Sequence, residues 1–164
     1  MSFTILIVVV HVLSAIAMVA GVIGRELTRI QMRQTTDFNV FIGLLELVGR
    51  FDNLLVIPST NVIALSGILL AFLEGFPLVG FLQGGQVNWL LVANLLVISI
   101  ILLVVLVFIP RGRQFATILA DAKSKGEITP ALRDEDRNPI VVWAHRWEDI
   151  ATGLVLILMI TKPF

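Results

Sequence analysis

Three uncharged apolar runs decide most of what this chain can become. Phe3 to Gly24 carries no charge for 22 residues, Leu54 to Leu73 for 20, and Trp89 to Ile109 for 21. A helix of 22 residues covers roughly 33 Å, enough for a hydrocarbon layer of about 30 Å. Hydrophobic residues make up 57% of the chain, charged residues 15%, and the mean hydropathy is +0.96. A single water-soluble core of this size has no use for that excess, so a soluble globular domain is excluded. With no cysteine in the chain, disulfides, thiolate metal sites, iron–sulfur clusters and cysteine nucleophiles are excluded as well. Twelve basic residues balance twelve acidic ones, so no charge bias points to nucleic acid.

The pattern predicts an all-α polytopic membrane protein: four transmembrane helices in one bundle, within one membrane domain over residues 1–164. The expected spans are about 3–24, 54–73, 89–109 and 140–161. The first apolar run exceeds a signal-peptide core and no basic residue precedes it, so it reads as a retained span. Pro58 falls in the first turns of span two, and Pro110 closes span three. The fourth span is shorter on apolar residues: Ile150 to Thr161 gives only 12. To cross, it must start near Ile140 and carry His145, Arg146, Glu148 and Asp149, flanked by Trp143 and Trp147.

Basic residues sort by connection. Arg25, Arg29, Arg33 and Arg50 fall in the loop 25–53, and six more fall in 111–139. Arg146 lies at the same end of span four, and Lys162 alone follows that span. The Lys/Arg excess marks cytoplasmic loops, which predicts N-out/C-out, with 74–88 as the external loop. The cytoplasmic connections read as amphipathic helices. Asp37 to Arg50 places Phe38, Phe41, Leu44, Leu45 and Val48 on one face. Arg113 to Lys125 continues span three as far as Gly126, and Thr129-Pro130 starts a short helix through Arg137.

Two constellations carry chemistry. His11 lies inside span one, where an ionisable side chain faces protein or water. At about 100° per residue it shares an arc with Ser14, Met18, Gly21 and Arg25. A neutral imidazole there is a candidate haem ligand, with Met18 on the same face. The alternative is a histidine hydrogen-bonded to a neighbour such as Asn61 or Asn94. The second constellation is His145, Arg146, Glu148 and Asp149, in one charged layer with Arg25, Arg50, Asp52 and Arg111. It reads either as an arginine site for a haem propionate or a lipid phosphate, or as an ion-pair belt. In that belt Glu148 or Asp149 pairs with Arg25, Arg50 or Arg146. Asn61 and Asn94 bond across helices or line a polar cavity. Ala17/Gly21, Ala20/Gly24 and Gly67/Ala71 are small pairs that let helices approach. His11 and His145 differ in depth by about 10 Å at ~1.5 Å per residue, so one iron between both is not expected. No triad, P-loop, dinucleotide fingerprint or HExxH motif occurs.

Several short motifs occur together: HisValLeu at His11 to Leu13, the early Pro58, and LeuSerGlyIleLeuLeu at Leu65 to Leu70. Asn88-Trp89-Leu90, Pro110-Arg111 and MetIleThrLysProPhe at Met159 to Phe164 complete the set. With these the chain resembles a family of bacterial predicted integral membrane proteins of unknown function. More distantly it is similar to HemJ-type protoporphyrinogen oxidases and to the membrane domain of CopD-type copper proteins. The resemblance implies a bacterial inner-membrane location. The HemJ likeness implies haem b on His11, and its terminal Lys-Pro-Phe matches Lys162 to Phe164. Its span-three lysine has no counterpart in Trp89 to Asn94, which argues against porphyrinogen oxidation. The CopD likeness implies copper on His11, with Met18 and Met159. Three roles follow: a haem-binding or redox accessory protein, a non-catalytic subunit of a larger membrane complex, or, ranked last, an oxidase. Expected partners are the lipid bilayer and other membrane subunits or further copies of the chain.

Overall fold

The computed structural model describes residues 2–79 and 88–163. Among these residues the chain is all-helical, with no strand: α1 Phe3–Gln34, α2 Phe38–Phe51, α3 Ile57–Glu74, α4 Trp89–Leu103, α5 Ile109–Lys125, α6 Pro130–Asp136 and α7 Pro139–Thr161. It divides into two compact units, residues 1–76 and 77–164.

Helix starts follow capping chemistry. The Ser2 hydroxyl accepts from the Ile5 N–H at 3.3 Å, Asp37 from Val40 at 3.0 Å, Asn88 from Leu91 at 2.8 Å and Thr129 from Leu132 at 3.3 Å. Each satisfies an amide that the first helical turn leaves without a partner. Gly75 and Gly126 end α3 and α5 in the left-handed conformation (φ 71° and 69°) that favours glycine.

The prolines act differently from the expectation. Pro110 does not close its helix, and the connection 25–53, expected to be partly helical, is helical except at residues 35–37. α1 runs ten residues beyond the expected span end, to Gln34. α2 continues into α3 through a π turn, Asp52–Val56, and α4 into α5 through another, Val104–Phe108. A proline ring crowds the carbonyl four residues back and offers no N–H. For Pro58 that carbonyl belongs to Leu54, and for Pro110 to Leu106, each inside its π turn. The wider turn carries the chain past the ring, closed by Ile57 N–H to the Asp52 carbonyl and Ile109 N–H to the Val104 carbonyl.

Among the described residues three helices are long and apolar enough to cross a membrane: Phe3–Gln34 (32 residues), Phe38–Glu74 (37) and Trp89–Lys125 (37). At ~1.5 Å per residue the longer two reach about 55 Å, well beyond a ~30 Å hydrocarbon layer. α7 has 23 residues and carries Arg146, Glu148 and Asp149.

The first unit is an antiparallel helical hairpin, α1 against the α2–α3 helix, turning at residues 35–37. The amphipathic helix expected over Asp37 to Arg50 is present, but it is the first part of the long α2–α3 helix and turns its apolar face to α1, with Phe41 wholly buried and Val48 buried. Small residues set the closeness of the seam. A Cβ on Gly21 would lie 2.8 Å from Leu55 Cβ, and one on Gly24 would lie 2.6 Å from the Phe51 ring. The second unit holds α4–α5 with α6 and α7. Leu132 of α6 and Ala122 of α5 are fully buried. Of the expected external loop 74–88, residues 80–87 lie outside the described residues.

Candidate functional site

The arc of α1 read from the sequence is its inward face. Gly21 and Arg25 are buried, and His11, Ser14 and Met18 are partly buried. His11 meets α3, but neither proposed asparagine is its partner. Its Nδ1 lies 2.9 Å from Ser66 Oγ. Asn61 is exposed on α3, because it stands five residues before Ser66 and so faces away from the seam. Asn94 ties α4 to the preceding connection instead, donating from Nδ2 to the Leu78 carbonyl at 2.8 Å.

The network assigns the imidazole tautomer. Ser66 has one hydroxyl proton, and its Oγ lies 2.5 Å from the Val62 carbonyl. A carbonyl only accepts, so that proton points to Val62. Ser66 Oγ is then the acceptor from His11, and Nδ1 carries the ring proton. In the neutral ring Nε2 then keeps its lone pair and can serve as a nitrogen ligand or a hydrogen-bond acceptor. The ring packs on Gly67, where an added Cβ would lie 3.2 Å from His11 Cε1. Ser66 was legible only as part of the LeuSerGlyIleLeuLeu motif, and Gly67 also as one of a small pair with Ala71. Both serve to seat and orient His11.

Arg25 lies at the other end of the same seam, 14 residues or about 21 Å along α1. It is 5% exposed and pairs with Asp52 at 2.9 Å. Asp52 opens the π turn, so the widened turn and the ion pair share a residue. Arg25 thus binds a carboxylate of its own hairpin, four turns from His11, which removes it as a partner for a group held by His11. Arg50 is exposed.

In the second unit, His145 stacks on Phe108 (centroids 4.3 Å apart, planes 18° apart), and its Nδ1 lies 3.1 Å from Glu148 Oε2. Arg111 approaches Glu135 Oε2 at 3.5 Å. The Arg146 guanidinium lies over the Trp143 ring, 5.6 Å from its centroid. Trp147 Nε1 donates to Ser99 Oγ at 3.0 Å. The sequence grouped these residues as one layer. Within this unit that layer includes a histidine–carboxylate pair, an arginine–carboxylate pair and an arginine–indole contact. No group of three or more His, Cys, Asp or Glu residues suited to a metal ion occurs among the described residues.

Comparison with curated proteins and with solved structures finds no match. A family model described as predicted integral membrane protein (DUF2269) matches residues 5–163. A match over nearly all of the chain agrees with the long apolar helices, and the chain belongs to this family of integral membrane proteins.

Proposed function

We infer that this membrane protein crosses the bilayer four times, N-out and C-out, and holds one haem b through His11 as a redox accessory protein. The orientation rests on the basic residues, eleven of which cluster at one end of the four segments while Lys162 stands at the other.

The observation that carries the haem reading is the hydrogen bond from His11 Nδ1 to Ser66 Oγ. It fixes the tautomer and ring orientation that a nitrogen ligand needs, as outer-shell partners of ligating histidines do. Gly67 leaves room for the ring against the α3 backbone. Haem supplies one-electron chemistry, tuned by its axial ligand and by the burial around it. The protein's part is to hold Nε2 free of a proton inside an apolar seam and to limit water at that seam. No enzymatic activity is proposed.

The competing reading is a non-catalytic subunit of a larger membrane complex. It is favoured by the outward face of the long third helix, where Leu95, Ile98, Ile101, Leu102, Val105 and Leu106 are exposed. Such a face suits a partner helix as well as lipid.

The test is haem content per chain after gentle solubilisation from the native membrane, with subunit analysis of the same sample. One haem per chain, lost in His11→Ala with the helical signal retained, supports the first reading. A colourless sample with stoichiometric partners overturns it in favour of the second.

A further inference from the structure

Arg146 has an unusual setting. It is exposed on α7, on the side that also exposes Trp143 (67%), Ile150 (55%) and Ile157 (56%). Its contact is the Trp143 ring, and no ion pair joins it to a carboxylate among the described residues. Glu148, two residues on, faces His145. A helical side chain leans toward the N-terminus of its helix. Arg146 does so, reaching back one turn over Trp143, toward the end of α7 where the basic residues of this unit gather. A cation is costly inside the apolar layer, so a long arginine side chain at its edge reaches out to the headgroup level, where lipid phosphate is the anion at hand.

Beside it runs an open apolar groove between the third long helix and α7. Leu103, Val107, Ile140, Trp143, Ala144 and Trp147 line it, with Pro139 at its head. Its walls are almost wholly apolar. Trp147 is held across it by the bond to Ser99. Trp143 belongs to both features, as wall of the groove and as platform for the guanidinium.

We propose that this surface is a binding site for one anionic phospholipid, with an acyl chain in the groove and the headgroup phosphate on Arg146. The charge decides the occupant. A zwitterionic lipid brings a cationic group to the same place, and an apolar partner helix would bury the guanidinium without a counter-charge. Planar guanidinium and phosphate suit each other in geometry as well as in sign. The site needs only an integral membrane protein and does not depend on the role of His11.

The test is native mass spectrometry of the full chain released from detergent, with phosphatidylglycerol or phosphatidylcholine of matched chains added. One arginine near an anionic membrane surface favours charged lipid by roughly fivefold. The wild type is expected to retain one phosphatidylglycerol with a preference of about that size. Arg146→Gln should lose the preference, and Arg146→Lys should keep most of it. A second variant, Val107→Trp, fills the groove while leaving Arg146 in place, and should weaken retention of both lipids. Equal retention of the two lipids by the wild type overturns the proposal. So does an undiminished preference in Arg146→Gln, or unchanged retention in Val107→Trp.

Discussion

Substituting Gly21 tests the seam of the first hairpin most sharply. The added Cβ would lie 2.8 Å from Leu55 Cβ, 2.9 Å from Val56 Cγ2 and 3.4 Å from the Val56 backbone nitrogen. Optimal carbon–carbon contact is about 3.5–4.0 Å. Leu55 Cβ is bonded to the backbone and cannot swing aside, so the two helices must part by nearly 1 Å. Overpacking of that kind costs roughly 1–3 kcal/mol. The separation would also stretch the Arg25–Asp52 pair, one turn further along at 2.9 Å. Gly49, on α2 of the same hairpin, is the control, because a Cβ there meets nothing within 4 Å. Both changes gain the same helix propensity, about 1 kcal/mol for glycine to alanine, so that gain cancels between them. Reversible unfolding in mixed micelles, followed by circular dichroism, should therefore place Gly21→Ala roughly 1–3 kcal/mol below Gly49→Ala. Equal stabilities for the two variants would refute the close approach of α1 to the π turn between α2 and α3.

Other outcomes follow from single contacts. Asp52→Ala leaves Arg25, 5% exposed, without that carboxylate and should cost about 3 kcal/mol; Asp121→Ala, which breaks the exposed pair with Lys125 at 2.7 Å, should cost under ~0.5 kcal/mol in the same unfolding assay. Leu132→Ala empties a fully buried site and should cost about 2–5 kcal/mol, with faster amide exchange in α6. Ser66→Ala removes the acceptor for His11 Nδ1–H; on the haem reading, retention should fall roughly tenfold to a hundredfold in a haem-transfer assay, while Asn61→Ala should leave it unchanged.

Much of the fold was legible because it depends on local signals. The helix starts near Asp37, Trp89 and Thr129-Pro130, the stop at Gly126 and the amphipathic face of α2 are short-range features, and each is present. The arc from His11 to Arg25 was legible too, since helical periodicity alone puts those residues on one face. What the sequence hid depends on how two helices register. Prolines 58 and 110 suggested helix boundaries, yet π turns carry both helices through, and periodicity cannot show such a turn. Ser66 stood out only inside the LeuSerGlyIleLeuLeu motif, with no role attached. Its role follows from the antiparallel register of α1 on α3, which brings residue 66 to residue 11 and leaves Asn61 outside. The same register gives Arg25 its partner Asp52, a choice that a count of nearby acids could not make.

The most direct test of the account is an absorption spectrum, oxidised and dithionite-reduced, of the protein gently extracted from its native membrane. The account predicts a Soret band that copurifies with this chain and is lost in His11→Ala. A wild-type protein that is folded, helical and without such a band would contradict it, leaving His11 as a residue that only joins α1 to α3 through Ser66.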